Sequence, residues 1–211
     1  RFEQTYVPHW GFEESKQLSP SLTMDIYLDY GGYPGPLLIS DPERRLNYLK
    51  HSILEPVIIK DILQNVTVKK PALFRQTFEI ACLYAAEILS LNKLLGQLQE
   101  GGNVDLVKHY LALFQQAFLI NTLDKFSTNR IQRKGSSPKL MPLAPVFLSL
   151  FGDADKGRKF ELIVGLHLIQ HYKEVYYWRE RDYEVDYVIK VGKKTIGIEV
   201  KSGRKKGILT I

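Results

Sequence analysis

The chain has 211 residues, 45% hydrophobic and 25% charged, with a formal net charge of +6, a pI near 9.2 and one cysteine, Cys82. That composition excludes a disordered tail and an intrachain disulfide scaffold, and no apolar run approaches the roughly 20 residues that span a bilayer. The N-terminus "RFEQTYVPHWGFEESKQ" has no apolar signal core and begins with Arg, so a cytoplasmic chain is expected, cut or processed from a longer one.

Residues 1–45 are punctuated by Gly and Pro and read as a loop-rich segment, with Gly31 to Pro36 as turn or loop. From Glu43 the pattern turns helical. "ERRLNYLKHSILEPVIIKDIL" sets Leu46, Leu49, Ile53, Leu54, Val57 and Ile58 at helical intervals, with a break or kink at Pro56. Pro71 opens a further helix, "PALFRQTFEIACLYAAEIL". Ser90 then caps a short helix, Gly101-Gly102 makes a turn, and Asn103 caps a longer helix. The apolar stripe of that longer helix is Val104, Val107, Leu111, Phe114 and Phe118.

Two helices about a tight turn fit either a helix-turn-helix or an ordinary helical hairpin. The next stretch, "INTLDKFSTNRIQRKGSSPKLMPLAP", has two short extended segments around a basic tip, which is the layout of a winged helix. Asp105, Lys108 and His109 then fall on the polar face of the recognition helix, where the acid counts against base reading. "NRIQRKGSSPK", with Arg130, Arg133, Lys134 and Lys139, carries four basic residues and no acid. "KSGRKKG", with Arg204, Lys205 and Lys206, does the same. Each suits a phosphate backbone, and each equally suits a solvated loop. Residues 46–150 are thus expected to form a helical, winged-helix-like domain.

A second unit, 151–211, opens with the amphipathic helix in "GDADKGRKFELIVGLHLIQHY" and continues with three strands, "EVYYWRER", "YEVDYVIKV" and "TIGIEVK". Gly192-Lys193 is a natural two-residue type II′ turn, so Val191 faces Lys194 and Asp186 stands opposite Glu199 on one face of the sheet. Facing Cβ atoms are about 4.5–5.5 Å apart, and two like charges that close require a cation. Lys201 points to the same face, roughly 7 Å along the strand from Glu199. The other face, Val185, Tyr187, Ile189, Ile198 and Val200, suits a core. A four-residue loop keeps this register, whereas a three-residue loop slips it by one.

Two carboxylates and an amine on one face suit a hard divalent ion, Mg²⁺ above all or Mn²⁺, which takes oxygen ligands and needs only one or two carboxylates. Glu161, read as lying in the first turn of the preceding helix, adds a further carboxylate. The plain alternative is an ion pair of Lys201 with Asp186 or Glu199 and no chemistry.

The order helix-Glu161, strand-Asp186, turn, Glu199-x-Lys201 resembles the PD-(D/E)XK nuclease superfamily over about residues 160–202, with Val185-Asp186 in place of Pro-Asp. More of the chain is similar to a family of prokaryotic AAA-type ATPases with a C-terminal domain of unknown function. The shared motifs, in order, are "GGYPGPL", "YLKHSILEPVIIKDIL", "VDLVKHYLALFQQAFLI" and "KFELIVGLHL…YYWRERDYEVDYVI…GIEVKSG".

The resemblance implies an α+β or α/β chain: a winged-helix region followed by a restriction-endonuclease-like domain with a mixed sheet. It implies a Mg²⁺-dependent DNA nuclease in which Asp186 and Glu199 are the ligands, Lys201 is catalytic and Glu161 assists. It also implies DNA and an ATPase core as partners; an oligomer stays open, and the lack of a long apolar run leads us to expect no membrane. No Gly-x-x-x-x-Gly-Lys-Ser/Thr loop occurs, and "GRKKG" is no substitute, so neither nucleotide binding nor ATPase activity is expected. The sequence given stops ten residues after Lys201, short of the helix and strand such a fold normally adds, and both a natural, minimal end and a truncated piece are open expectations. The competing expectations are a non-catalytic DNA-binding module and a protein-interaction region, each with a vestigial nuclease face.

Overall fold

Short helices open the computed structural model, which describes residues 3, 5, 7–99, 101–127, 135–152 and 154–203. They are α1 (Phe12–Leu18), α2 (Met24–Tyr30) and α3 (Pro34–Leu37). The expectation of turn or loop from Gly31 to Pro36 therefore holds only for its first half. Gly32 takes φ +107°, and a Cβ there would meet Ala144 Cβ at 2.6 Å. Pro34 then starts a helical turn, because the N–H it lacks has no helical partner at that position anyway. Arg45 pins this segment down: its Nε donates to the carbonyls of Pro36 and Ile39 at 3.0 and 2.9 Å, and its guanidinium lies 4.2 Å from the Tyr30 ring centroid.

Asp41 caps α4 (Pro42–Tyr48) by accepting the Arg44 N–H at 2.7 Å. The helix does not break at Pro56, which sits at φ −58°, ψ −43°. Instead π-helical turns, Leu49–Leu54 and Val57–Leu63, flank the proline, whose ring leaves no N–H for the regular ladder. Next come α5 (Pro71–Leu83), α6 (Leu91–Gly96) and α7 (Val104–Gln116). Ser90 caps α6 and Asn103 caps α7, as their chemistry requires. Phe74, Phe78, Phe114 and Phe147 form the aromatic centre of the first core, with ring centroids 4.4–5.5 Å apart. Phe118 does not join the stripe. It lies past the end of α7 at φ +54° and is 50% exposed.

The strands β1 (Ile120–Leu123) and β2 (Lys139–Pro142) pair antiparallel, and β2 is buried along its whole length. On its other side β2 bonds to the non-helical segment after α5, through Ala86 N–H to Leu140 O at 2.7 Å and Leu140 N–H to Glu87 O at 3.0 Å. After α8 (Val146–Phe151) and α9 (Lys156–His171) come β3 (Val175–Glu180), β4 (Tyr183–Val191) and β5 (Lys194–Ile198), in the order β3-β4-β5.

The result is a mixed α+β structure with two small antiparallel sheets among the described residues. A mixed sheet was expected. Among the described residues the one parallel contact is an isolated bridge, Lys125 with Tyr177, and β3, β4 and β5 follow one another through two-residue connections that force antiparallel pairing. A second core spans the expected boundary at residue 150, joining Leu123, Met141 and Leu148 to Leu162, Tyr187 and Ile189. Lys156 and Lys159 on α9 also pair with Asp25 and Asp29 on α2, at 2.5 and 2.6 Å. No helix among the described residues is long and apolar enough to cross a membrane.

Candidate metal and phosphodiester site

The hairpin turn has the expected chemistry. Gly192 takes φ +61° while Lys193 stays out of the left-handed region, as type II′ requires. The paired register runs from Val191↔Lys194 to Tyr187↔Ile198, so Asp186 and Glu199, the facing pair expected, fall one step past its end. The ladder stops there. Two residues past Ile198, the Val200 N–H goes to Asp186 Oδ2 at 2.7 Å.

On its other side β4 carries a β-bulge. Tyr176 faces Val188 and Trp178 faces Val185, so Asp186 and Tyr187 together stand opposite the single residue Tyr177. A bulge leaves ladder groups unpaired and re-aims side chains, and bulges recur next to active sites. Here the Asp186 carbonyl is available to a lysine, and Lys139 Nζ donates to it at 3.1 Å.

Lys139 therefore overturns one expectation. Placed by its sequence neighbours on a DNA-facing tip, it is 0% exposed. It donates to Glu161 Oε1 at 2.5 Å and lies 4.6 Å from the Tyr187 ring centroid. The reason is β2, which is paired on both edges and buries whatever it carries.

Glu161 also moves. Helix α9 begins at Lys156, so Glu161 sits in its second turn, beyond the reach of the helix-end charge. Burial raises its pKa above the ordinary carboxylate range, against the pull of Lys139, and Asp186 and Glu184 push it the same way as burial. Tyr187 is raised further, by burial and then by Glu161 and Asp186. Its hydroxyl donates to the Glu161 carbonyl at 2.7 Å, fixing α9 to β4.

Glu161, Glu184, Lys201, Arg158 and Arg179 border one open groove of about 680 Å³. Lys201 is exposed and bonds to Glu199. Its pKa is raised by that hydrogen bond and charge, with smaller pushes from Asp186 and Glu161. Glu184 is the acid that sequence reading missed. Its signal was already present: it lies two residues before Asp186 in the same expected strand, where alternation sets the two acids on one face. Arg179 holds it at 3.6 Å.

The donor set is all oxygen. Asp186 gives one carboxylate oxygen to Val200, and Glu199 and Glu161 are each paired with a lysine. Among the described residues no three such side chains already converge as a cage. A hard ion that needs one or two carboxylates and fills its remaining positions with water or phosphate fits this set.

Of the residues expected at DNA, Lys108 is exposed on α7, 4.0 Å from Asp105, and His109 is exposed beside it. Arg130, Arg133 and Lys134, and likewise Arg204, Lys205 and Lys206, lie outside the described residues.

Fold and site together define an α+β chain in which a buried lysine of β2 bonds to a glutamate of α9 and to the bulged strand β4. Residues 23–143, more than half of the chain, match a family described as a domain of unknown function, DUF8612, and the chain belongs to that family. Residues 156–208 match a second domain of unknown function, DUF4143. No curated protein and no solved structure matches the chain. Lys139 lies in the first matched span, and Glu161, Asp186, Glu199 and Lys201 lie in the second.

Proposed function

We propose that this chain is the nucleic-acid-associated C-terminal part of a cytoplasmic AAA-type ATPase, with a Mg²⁺- or Mn²⁺-dependent phosphodiesterase site that cuts DNA. One observation carries the reading: Asp186 takes the Val200 amide just past the end of the β4–β5 ladder, which brings it beside the Glu199–Lys201 pair, and Lys201 borders the same groove as Glu161. In this reading α6, α7, β1 and β2 form a winged helix, and α9 with β3–β5 forms a restriction-endonuclease-like unit.

Asp186 and Glu199 hold the cation, with Glu161 as a further oxygen donor. Such an ion, when bound, polarises a phosphodiester and lowers the pKa of a water. The Lys201 ammonium, kept protonated by Glu199, offsets charge developing on the phosphate. Arg158 and Arg179 border the groove and suit phosphate oxygens.

The test is incubation of the purified chain with supercoiled plasmid and Mn²⁺ or Mg²⁺, beside EDTA and the Glu199→Ala variant. Nicking that disappears in both controls supports the reading. A folded chain that never nicks sinks it.

A second reading is favoured by the contact of Lys201 with Glu199, the ion pair a vestigial nuclease face keeps without chemistry. The chain then holds DNA without cutting it, and binding survives Glu199→Ala.

A further inference from the structure

Lys139 supplies the buried positive charge that the site's own strands lack. A fully buried ammonium is tolerated only with close compensation, and everything that compensates this one belongs to the candidate site. The Asp186 carbonyl at the bulge anchors it at 3.1 Å, the face of Tyr187 lies 4.6 Å from it, and Glu161 Oε1 accepts from it at 2.5 Å. The anchor is rigid. Lys139 opens β2, which is paired to β1 at Leu123 and bridged on its other edge to Ile88. The Glu161 side chain is 24% exposed, so it meets solvent at the groove on one side and Lys139 on the other.

We propose that Lys139 is a positioning residue of the candidate metal site: it holds the Glu161 carboxylate toward the groove, and the site is therefore composite, built from both family-matched spans. Supporting groups of this kind behind ligating carboxylates typically contribute 10- to 100-fold to metal affinity. The inference rests on the metal-dependent reading above.

The experiment is Mn²⁺ titration of the full chain by electron paramagnetic resonance, on wild type, Lys139→Met, Glu161→Gln and the double variant. Near-UV circular dichroism verifies folding. Lys139→Met is expected to weaken Mn²⁺ binding roughly 10- to 100-fold. The double variant is expected to bind as Glu161→Gln does, because Lys139 acts through Glu161. A merely structural lysine would instead lower affinity further in the double variant, and that result overturns the proposal. Wild-type affinity in a folded Lys139→Met overturns it as well. If either single variant does not fold, the double variant, which leaves no buried charge unpaired, is compared with the wild type, and wild-type affinity there overturns the proposal. Absence of Mn²⁺ binding by the wild type sinks the metal reading itself, whereas wild-type binding that Lys139→Met leaves unchanged sinks this inference alone.

Discussion

The carboxylate of Asp186 accepts the backbone N–H of Val200 at 2.7 Å, where the β4–β5 ladder ends. The same side chain thus closes the strand pair and is the proposed ligand. The two roles separate by substitution. Asp186→Ala leaves the amide without its acceptor and is expected to lose about 1–3 kcal/mol in urea unfolding. Asp186→Asn keeps an acceptor oxygen and should stay close to wild-type stability while binding Mn²⁺ far more weakly. Equal Mn²⁺ affinity in the Asn variant would remove Asp186 from the ligand set.

Gly165 lies in α9 against both β2 and β4. A Cβ there would press on Met141 and approach Tyr187 Oη and Cζ at 2.5 and 2.6 Å. Alanine in a helix interior is intrinsically favoured over glycine by about 1 kcal/mol. Overpacking costs about 1–3 kcal/mol and should win, because Tyr187 is fully buried and fixed by its bond to Glu161. Gly165→Ala is therefore expected to melt at a lower temperature than wild type, and a higher melting temperature would show that α9 does not dock this closely.

His9 is bonded through Nε2 to the Tyr33 hydroxyl at 2.9 Å, and burial pushes its pKa down to about 4. The folded state thus prefers neutral imidazole, while the unfolded chain titrates near 6.5. The stability this contributes is complete above pH 6.5 and is lost as pH falls toward 4, with about 2 kcal/mol gone by pH 5. Urea unfolding at pH 7 and pH 5 measures it. His9→Gln, which has no titrating group, should lose correspondingly less between the two.

DNA binding is expected to rest on phosphate neutralisation by the basic stretch between β1 and β2. Replacing Arg130, Arg133 and Lys134 together by Ala should weaken binding and reduce the slope of log affinity against log salt by about 3. Glu199→Ala should leave that slope as it is. Fluorescence anisotropy across a salt series checks both, and a slope unmoved by the triple change would take that stretch out of the interface.

Much of this protein was legible in its local chemistry. The caps at Ser90 and Asn103, the turn at Gly192 and the register from Val191↔Lys194 to Tyr187↔Ile198 each depend on residues a few positions apart. Strand alternation and turn type propagate over such distances without help, so sequence alone determined the hairpin and its register. Tertiary structure decided what lies behind it. Lys139 sits in a stretch whose neighbours are polar and basic, which locally reads as surface. Its partners are 22 and 47 residues away, and burial is set by which elements close over a position. The bulge that sets Asp186 and Tyr187 against one residue of β3 is likewise a property of pairing between two strands, with no mark in either strand by itself. Patterns of period two and turn residues are local and additive; desolvation, and the counter-charge it requires, is a property of the assembled fold.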